Sequence, residues 1–176
     1  MKNHLVITVI ADDRPGIVER LAEIITSHQG NWLESSLSRL AGKFAGIVSI
    51  TLADDQLAVL QAAFKQLAKE GIRITTEVAA ETTSDTLPIT GTPLLLTLTG
   101  NDRPGIVQEI SARLARLKVN VEELQTYCES APMTGELLFN LRASLTLPAT
   151  LARNQVQDSL EDLSNDLVVE IEDQEY

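Results

Sequence analysis

The stretch Asp12-Asp13-Arg14-Pro15-Gly16-Ile17-Val18 returns 89 positions later as Asn101-Asp102-Arg103-Pro104-Gly105-Ile106-Val107. Chance recurrence of the string DRPGIV is negligible, so the chain contains a duplication. The same offset aligns Leu5 with Leu94, Thr8 with Thr97, Asn31 with Asn120 and Glu34 with Glu123, giving ten identities without a gap over residues 5–34. Residues 81–92, ETTSDTLPITGT, lack helical periodicity and are rich in Thr with Ser, Pro and Gly, the composition of a linker. The expected organisation is a first domain at 1–80, a linker at 81–92 and a second domain at 93–176. A copy of about 80 residues is near the lower end for independent folding. Packing of the two copies about a pseudo-two-fold axis is therefore expected.

Outward from each turn the same patterns follow in the same order. Leu5–Ile10 and Leu94–Thr99 are apolar and β-branched, as buried strands are. A helix from Pro15 to His28 places Ile17, Val18, Leu21, Ile24 and Ile25 on one face, and its counterpart keeps Ile106, Val107, Ile110, Leu114 and Leu117. Two strands follow, Asn31–Leu40 and Lys43–Leu52 turned at Ala41-Gly42, with Asn120–Glu129 and Glu136–Leu147 in the second copy. A second helix carries Leu57, Leu60, Phe64 and Leu67, or Ala152, Val156, Leu160 and Leu163, and a last strand lies at Ile72–Val78 or Leu167–Ile171. The order β-α-β-β-α-β predicts an α+β fold, two ferredoxin-like domains in tandem.

Composition removes several function classes. The net charge is −11, and residues 93–176 carry 6 basic against 14 acidic side chains. Such a surface repels phosphate backbones, and aromatics at 3% are too few for a base-stacking platform, so no direct nucleic-acid binding is expected. No run approaches the ~18 apolar residues of a membrane span. The opening MKNHLVITVIADD reads as a strand and not as a signal peptide. The single Cys128 leaves no internal disulfide, which points to a reducing cytoplasm, and it reads as buried in or beside the sheet.

In the turn itself, Pro15 and Pro104 suit the first helical position, and Asp13 and Asp102 lie by the positive helix end. Gly16 and Gly105 cost the helix about 1 kcal/mol against alanine. Two explanations stand side by side: tight helix–sheet packing that admits only glycine, or approach of a ligand carboxylate to backbone N–H groups. Arg14 and Arg103 fit a ligand contact or plain solvation. Asn31 and Asn120 fit a ligand contact through either end of the amide, or a turn after the helix.

A strand, a D-R-P-G-[IV] turn, an amphipathic helix and an Asn opening the next strand resemble the ACT domain, a small-molecule regulatory module of amino-acid metabolism. The resemblance covers nearly the whole chain twice. Two copies with little else are similar to the glycine cleavage system transcriptional repressor family, whose members act through protein partners. The resemblance implies an amino-acid site formed by Asp13, Arg14, Gly16, Ile17 and Asn31, and by Asp102, Arg103, Gly105, Ile106 and Asn120 in the second copy. In amino-acid-binding members the Asp13 and Asp102 position is often asparagine; aspartate holds an ammonium group but repels a carboxylate. The copies also differ beside the asparagine, with Trp32 in one and Val121 in the other.

No chemistry-bearing motif accompanies the turn. His4 and His28 are not repeated and have no partner at metal-ligand spacing. A nucleophile elbow and a phosphate-binding glycine loop are absent. Asp12-Asp13, Asp54-Asp55 and Glu122-Glu123 suit solvated loops and strand edges better than acid–base pairs, and Glu170–Tyr176 reads as a solvated tail or a docking surface. The expectation is a non-enzymatic cytoplasmic regulator without cofactor or metal. Its ligand is an amino acid, glycine by resemblance, and its partner a transcription regulator protein. The alternative is a free-standing subunit tuning a metabolic enzyme, and a homodimer is compatible with either.

Overall fold

The computed structural model describes residues 2–79, 91–132 and 135–174. They divide into two units, residues 1–85 and 86–176. The first runs β1 (Lys2–Asp12), α1 (Ile17–Ser27), β2 (Asn31–Leu40), β3 (Lys43–Ala53), α2 (Leu57–Leu67) and β4 (Ile72–Val78). The second repeats this as β5 (Gly91–Asn101), α3 (Ile106–Arg116), β6 (Asn120–Ser130), β7 (Leu137–Pro148), α4 (Arg153–Glu161) and β8 (Val168–Asp173). Each unit has one antiparallel four-stranded sheet, ordered β2-β3-β1-β4 and β6-β7-β5-β8. The βαββαβ order expected from the repeat is thus present twice. Of the expected linker, residues 81–90 lie outside the described residues, whereas Gly91 and Thr92 are already the first residues of β5.

Period-two alternation sets which face of each sheet the helices cover. Leu5, Ile7, Val9 and Ala11 of β1 share a buried cluster with Leu21 and Ile25 of α1 and Leu60, Phe64 and Leu67 of α2. Leu94, Leu96 and Leu98 of β5 pack likewise with Ile110 and Leu114 of α3 and Val156 and Leu160 of α4. Each unit buries a full core of its own, 15 and 17 apolar residues among those described, so neither needs its twin to complete a core. The opposite faces carry no helix.

The helix start differs from the sequence expectation. Pro15 and Pro104 precede the helices, which begin at Ile17 and Ile106 after Gly16 (φ 89°, ψ −2°) and Gly105 (φ 89°, ψ −4°). A left-handed glycine after proline is a type II turn, and in the second unit Ile106 N–H donates to Arg103 O at 3.3 Å to close it. Proline therefore presets the turn and not the first helical residue. Val18 and Val107, expected in the core, are 45% and 39% exposed, because each lies about 100° round the helix from the isoleucine before it, at the rim of the apolar stripe. At the other end Gln29 (φ 60°) and Lys118 (φ 58°) take the left-handed position that closes the helix, with Gly30 N–H to Ile25 O at 2.8 Å and Val119 N–H to Leu114 O at 3.0 Å. Asn31 and Asn120 are consequently strand residues and not turn residues.

The β2–β3 hairpin closes through Ala41 (φ 50°) and Gly42 (φ 75°), two left-handed residues whose twist suits a two-residue turn. In the second unit residues 131–136 separate the strands, and Ser130 pairs with Leu137. The edge strands β2 and β6 have a register bulge at the same place, between Trp32 and Glu34 and between Val121 and Glu123. Residues 121–130 of β6 are exposed along their whole length. Cys128, expected to be buried, lies there and is exposed, because no residue of β6 joins the buried cluster of the unit.

Candidate functional site

A β-carbon built on Gly16 or Gly105 meets no heavy atom within 4 Å. Tight packing is therefore not why glycine stands there; the positive φ is, since only glycine adopts it without strain. The carbonyls of Gly16 and Gly105 accept the first helical bonds, from Arg20 N–H (2.9 Å) and Glu109 N–H (3.0 Å), and no side chain caps either helix. The early N–H groups of α1 are thus left without an intrahelical acceptor. Ile17 and Ile106 follow the glycines as buried anchors of the helices.

The two turns carry the same motif but different charge surroundings. In the first, Asp13 N–H donates to Gly42 O at 2.9 Å and its carboxylate faces Arg39 Nη1 at 3.4 Å. Asp12 pairs with Lys43, which holds its carboxyl below the usual range. Arg14 Nη2 donates to Glu70 O at 2.6 Å, and the Glu70 carboxylate takes two bonds from Arg20, which lowers its pKa.

In the second, Asp102 N–H donates to Leu137 O at 2.9 Å. Arg103 is held bidentately by Glu109 at 2.7 and 2.6 Å; this pairing raises the guanidinium pKa and lowers that of the carboxyl. Where the first unit has Arg39, the second has Cys128, whose thiol is raised by partial desolvation first and then by the charge of and hydrogen bond to Asp102. Asp166 accepts from Ser164 Oγ and from Asn101 N–H at 2.9 Å, both of which lower its pKa. A hollow of about 390 Å³ beside this turn is lined by Asn101, Asp102, Glu136 and Leu137. Asp12 and Asp13 of the first turn thus each have a lysine or arginine beside them, while in the second Asp102 stands beside Cys128 and Arg103 is held by Glu109.

Within one unit the structure does not bring all the expected site residues together. Along β3, Lys43 pairs with Asp12 and Leu40, while Thr51 pairs with Asn31. Eight residues of strand separate these points, about 27 Å at the usual rise. The same interval separates Leu138, opposite Asn101, from Thr146, opposite Asn120. Asp13, Arg14, Gly16 and Ile17 therefore form one group and Asn31 stands at the far end of the sheet. Asp102, Arg103, Gly105 and Ile106 are parted from Asn120 in the same way. Arg39, Lys43, Glu70 and Glu109 escaped sequence reasoning. Counting from the Ala41-Gly42 hairpin pairs Leu40 with Lys43 and Arg39 with Phe44, but the place of Lys43 opposite Asp12 comes from the β1–β3 register, which no local pattern signals.

Among the described residues no group of three or more His, Cys, Asp or Glu is placed to hold a metal ion. No helix there is long and apolar enough to cross a membrane. No curated protein sequence matches the chain significantly. Among solved structures, an unknown protein from Galdieria sulphuraria is similar over 99% of this chain and 100% of its own, with 27% identity and a TM-score of 0.82. A protein provisionally assigned as a glycine cleavage system transcriptional repressor is similar over 99% of both chains, with 15% identity and a TM-score of 0.73. The profile of the ACT domain matches residues 3–78 and 92–173, one match per unit, and the chain belongs to that family.

Proposed function

We infer that this chain is a non-enzymatic, amino-acid-responsive regulator whose ligand carboxylate is received at the first turn. The observation that carries the reading is the charge compensation there. Asp13 would repel a carboxylate, but Arg39 stands beside it and Lys43 beside Asp12, next to the uncapped start of α1. In the second turn Cys128 stands where Arg39 does, so Asp102 has no guanidinium at that place and this is the weaker site for the same ligand. Glycine is the first ligand to test, on the sequence resemblance to the glycine cleavage repressors. The output runs through a protein partner: a net charge of −11 disfavours contact with DNA, and a transcription regulator is the leading partner class. A free-standing subunit tuning a metabolic enzyme is separated from this by a pull-down from lysate, which identifies the partner.

The ligand half of the reading is tested by a thermal-shift screen of the twenty protein amino acids. A ligand at ten times its Kd stabilises the native chain by about 1.4 kcal/mol. Valine at Gly16 would strain the backbone whether or not a ligand binds, so the discriminating variant is Arg39→Ala, at an exposed position. The expected result is a stabilising amino acid whose effect Arg39→Ala reduces. No stabilisation by any of the twenty at millimolar concentration refutes amino-acid sensing by the chain alone.

A further inference from the structure

The helix-free face of each sheet has a hollow at the same place, inside the bulge of the edge strand. In the second unit it measures about 440 Å³ and its floor and walls are Leu95, Glu123, Gln125, Arg142 and Ser144. In the first it measures about 330 Å³, and the residues at the same register positions are Val6, Glu34, Ser36, Ile47 and Ser49. The carboxylate and the serine are thus common to both copies, while the guanidinium belongs to the second alone.

Arg142 is the only basic residue in the four strands of its sheet, and among the described residues its side chain has neither an ion pair nor a hydrogen bond. Glu123 is its diagonal neighbour across the β6–β7 ladder, since Glu123 pairs with Ser144 and Gln125 with Arg142. Such neighbours stand about 7–8 Å apart, so both long side chains border one hollow. Gln125 donates to one oxygen of Glu123 at 2.9 Å and so steadies the carboxylate. Asp173 reaches the rim, but its carboxylate is 3.7 Å from Arg153. One unpaired cation and one steadied anion over a leucine floor match a molecule with a carboxylate and an ammonium on one carbon and a small apolar side chain.

We propose that this hollow is a second ligand site, separate from the turns, that takes a zwitterionic α-amino acid. The carboxylate lies on Arg142, the ammonium on Glu123 with Ser144 as a further acceptor, and the side chain on Leu95. The first unit, with Ile47 in place of the guanidinium, does not bind the same class. The contacts are solvent-exposed, so binding is weak and is read best by amide NMR.

The test titrates the full chain with L-valine, with isovalerate, which lacks the ammonium, and with isobutylamine, which lacks the carboxylate. L-valine is expected to give saturable shifts at the amides of Leu95, Glu123, Gln125, Arg142 and Ser144, and both single-charge analogues to bind at least roughly tenfold more weakly, as loss of one charged hydrogen-bonding group implies. Arg142→Ile removes the response, and Ile47→Arg, at a position 52% exposed, creates it around Val6 and Ser49. Unmoved hollow amides, equal binding of isovalerate, or an unchanged response in Arg142→Ile would each overturn the proposal. The turn amides of Gly16–Val18 report separately: shifts there with a silent hollow leave the regulatory reading standing and remove only this site.

Discussion

At Gly16 the backbone stands at φ 89° and ψ −2°, with open space where a side chain would project. An L-residue forced into that region costs about 1–2 kcal/mol, and the cost arises in its own backbone and not at a neighbour. Gly16→Ala should therefore destabilise the first unit by that amount, lowering its midpoint by roughly 4–8 °C for each kcal/mol in a domain of this size. Gly16→Leu should cost about as much as alanine, because the extra atoms enter open space. Gly16→Asn should cost less, since asparagine visits the left-handed region more readily. Trp32 is the only tryptophan, so urea unfolding followed by its fluorescence reports the first unit. Gly46 is the contrasting case: a β-carbon there would lie 2.0 Å from Ser36 O and 2.7 Å from Leu37 Cα, so β2 has to move and alanine should cost more than at Gly16. A cost at Gly16 that climbs with side-chain volume, or no cost at all, refutes the backbone account.

Asp12, Glu70, Glu109 and Asp166 all have lowered pKa values in the folded chain, so their contribution is present above the ordinary carboxylate range and is lost as pH falls through their folded values. Stability should hold down to about pH 5 and then decline, and Asp166→Asn should flatten the acid limb in pH-dependent denaturation. Cys128 should react with iodoacetamide more slowly than an unstructured thiol despite its exposure, and Asp102→Asn should accelerate it, as followed by mass spectrometry. Purified protein at micromolar concentration should give no gel shift with duplex DNA at physiological salt, given its charge of −11.

The fold was readable because its signals are local and occur twice. DRPG marks a strand-to-helix turn, and Ala41-Gly42 marks a hairpin so closely that the expected and observed ends of the adjoining strands, Leu40 and Lys43, coincide. What escaped was three-dimensional. The helical wheel assigned Val18 to the core because spacing alone cannot say how far round the helix the sheet's cover extends. Burial of Cys128 was inferred from residue type, although exposure of an outer strand depends on sheet order. Gly16 and Asn31, close in the motif, are parted in the fold because α1 runs back along the sheet between them. Arg39 and Lys43 became meaningful only through strand register.

The bond from the DRPG turn to the hairpin bears on how the two halves can change over evolution. In the first unit Asp13 N–H is tied to Gly42, which is itself one of the two residues of the hairpin turn. A residue inserted there would break the two-residue geometry and pull the anchor from the turn together. In the second unit the matching bond ends on Leu137, inside β7, and residues 131–136 lie beyond it. Insertions between Ser130 and Leu137 thus leave the anchor in place. The second hairpin is the position where the chain can accept new sequence, or an engineered epitope, without disturbing the turn it shares with its twin.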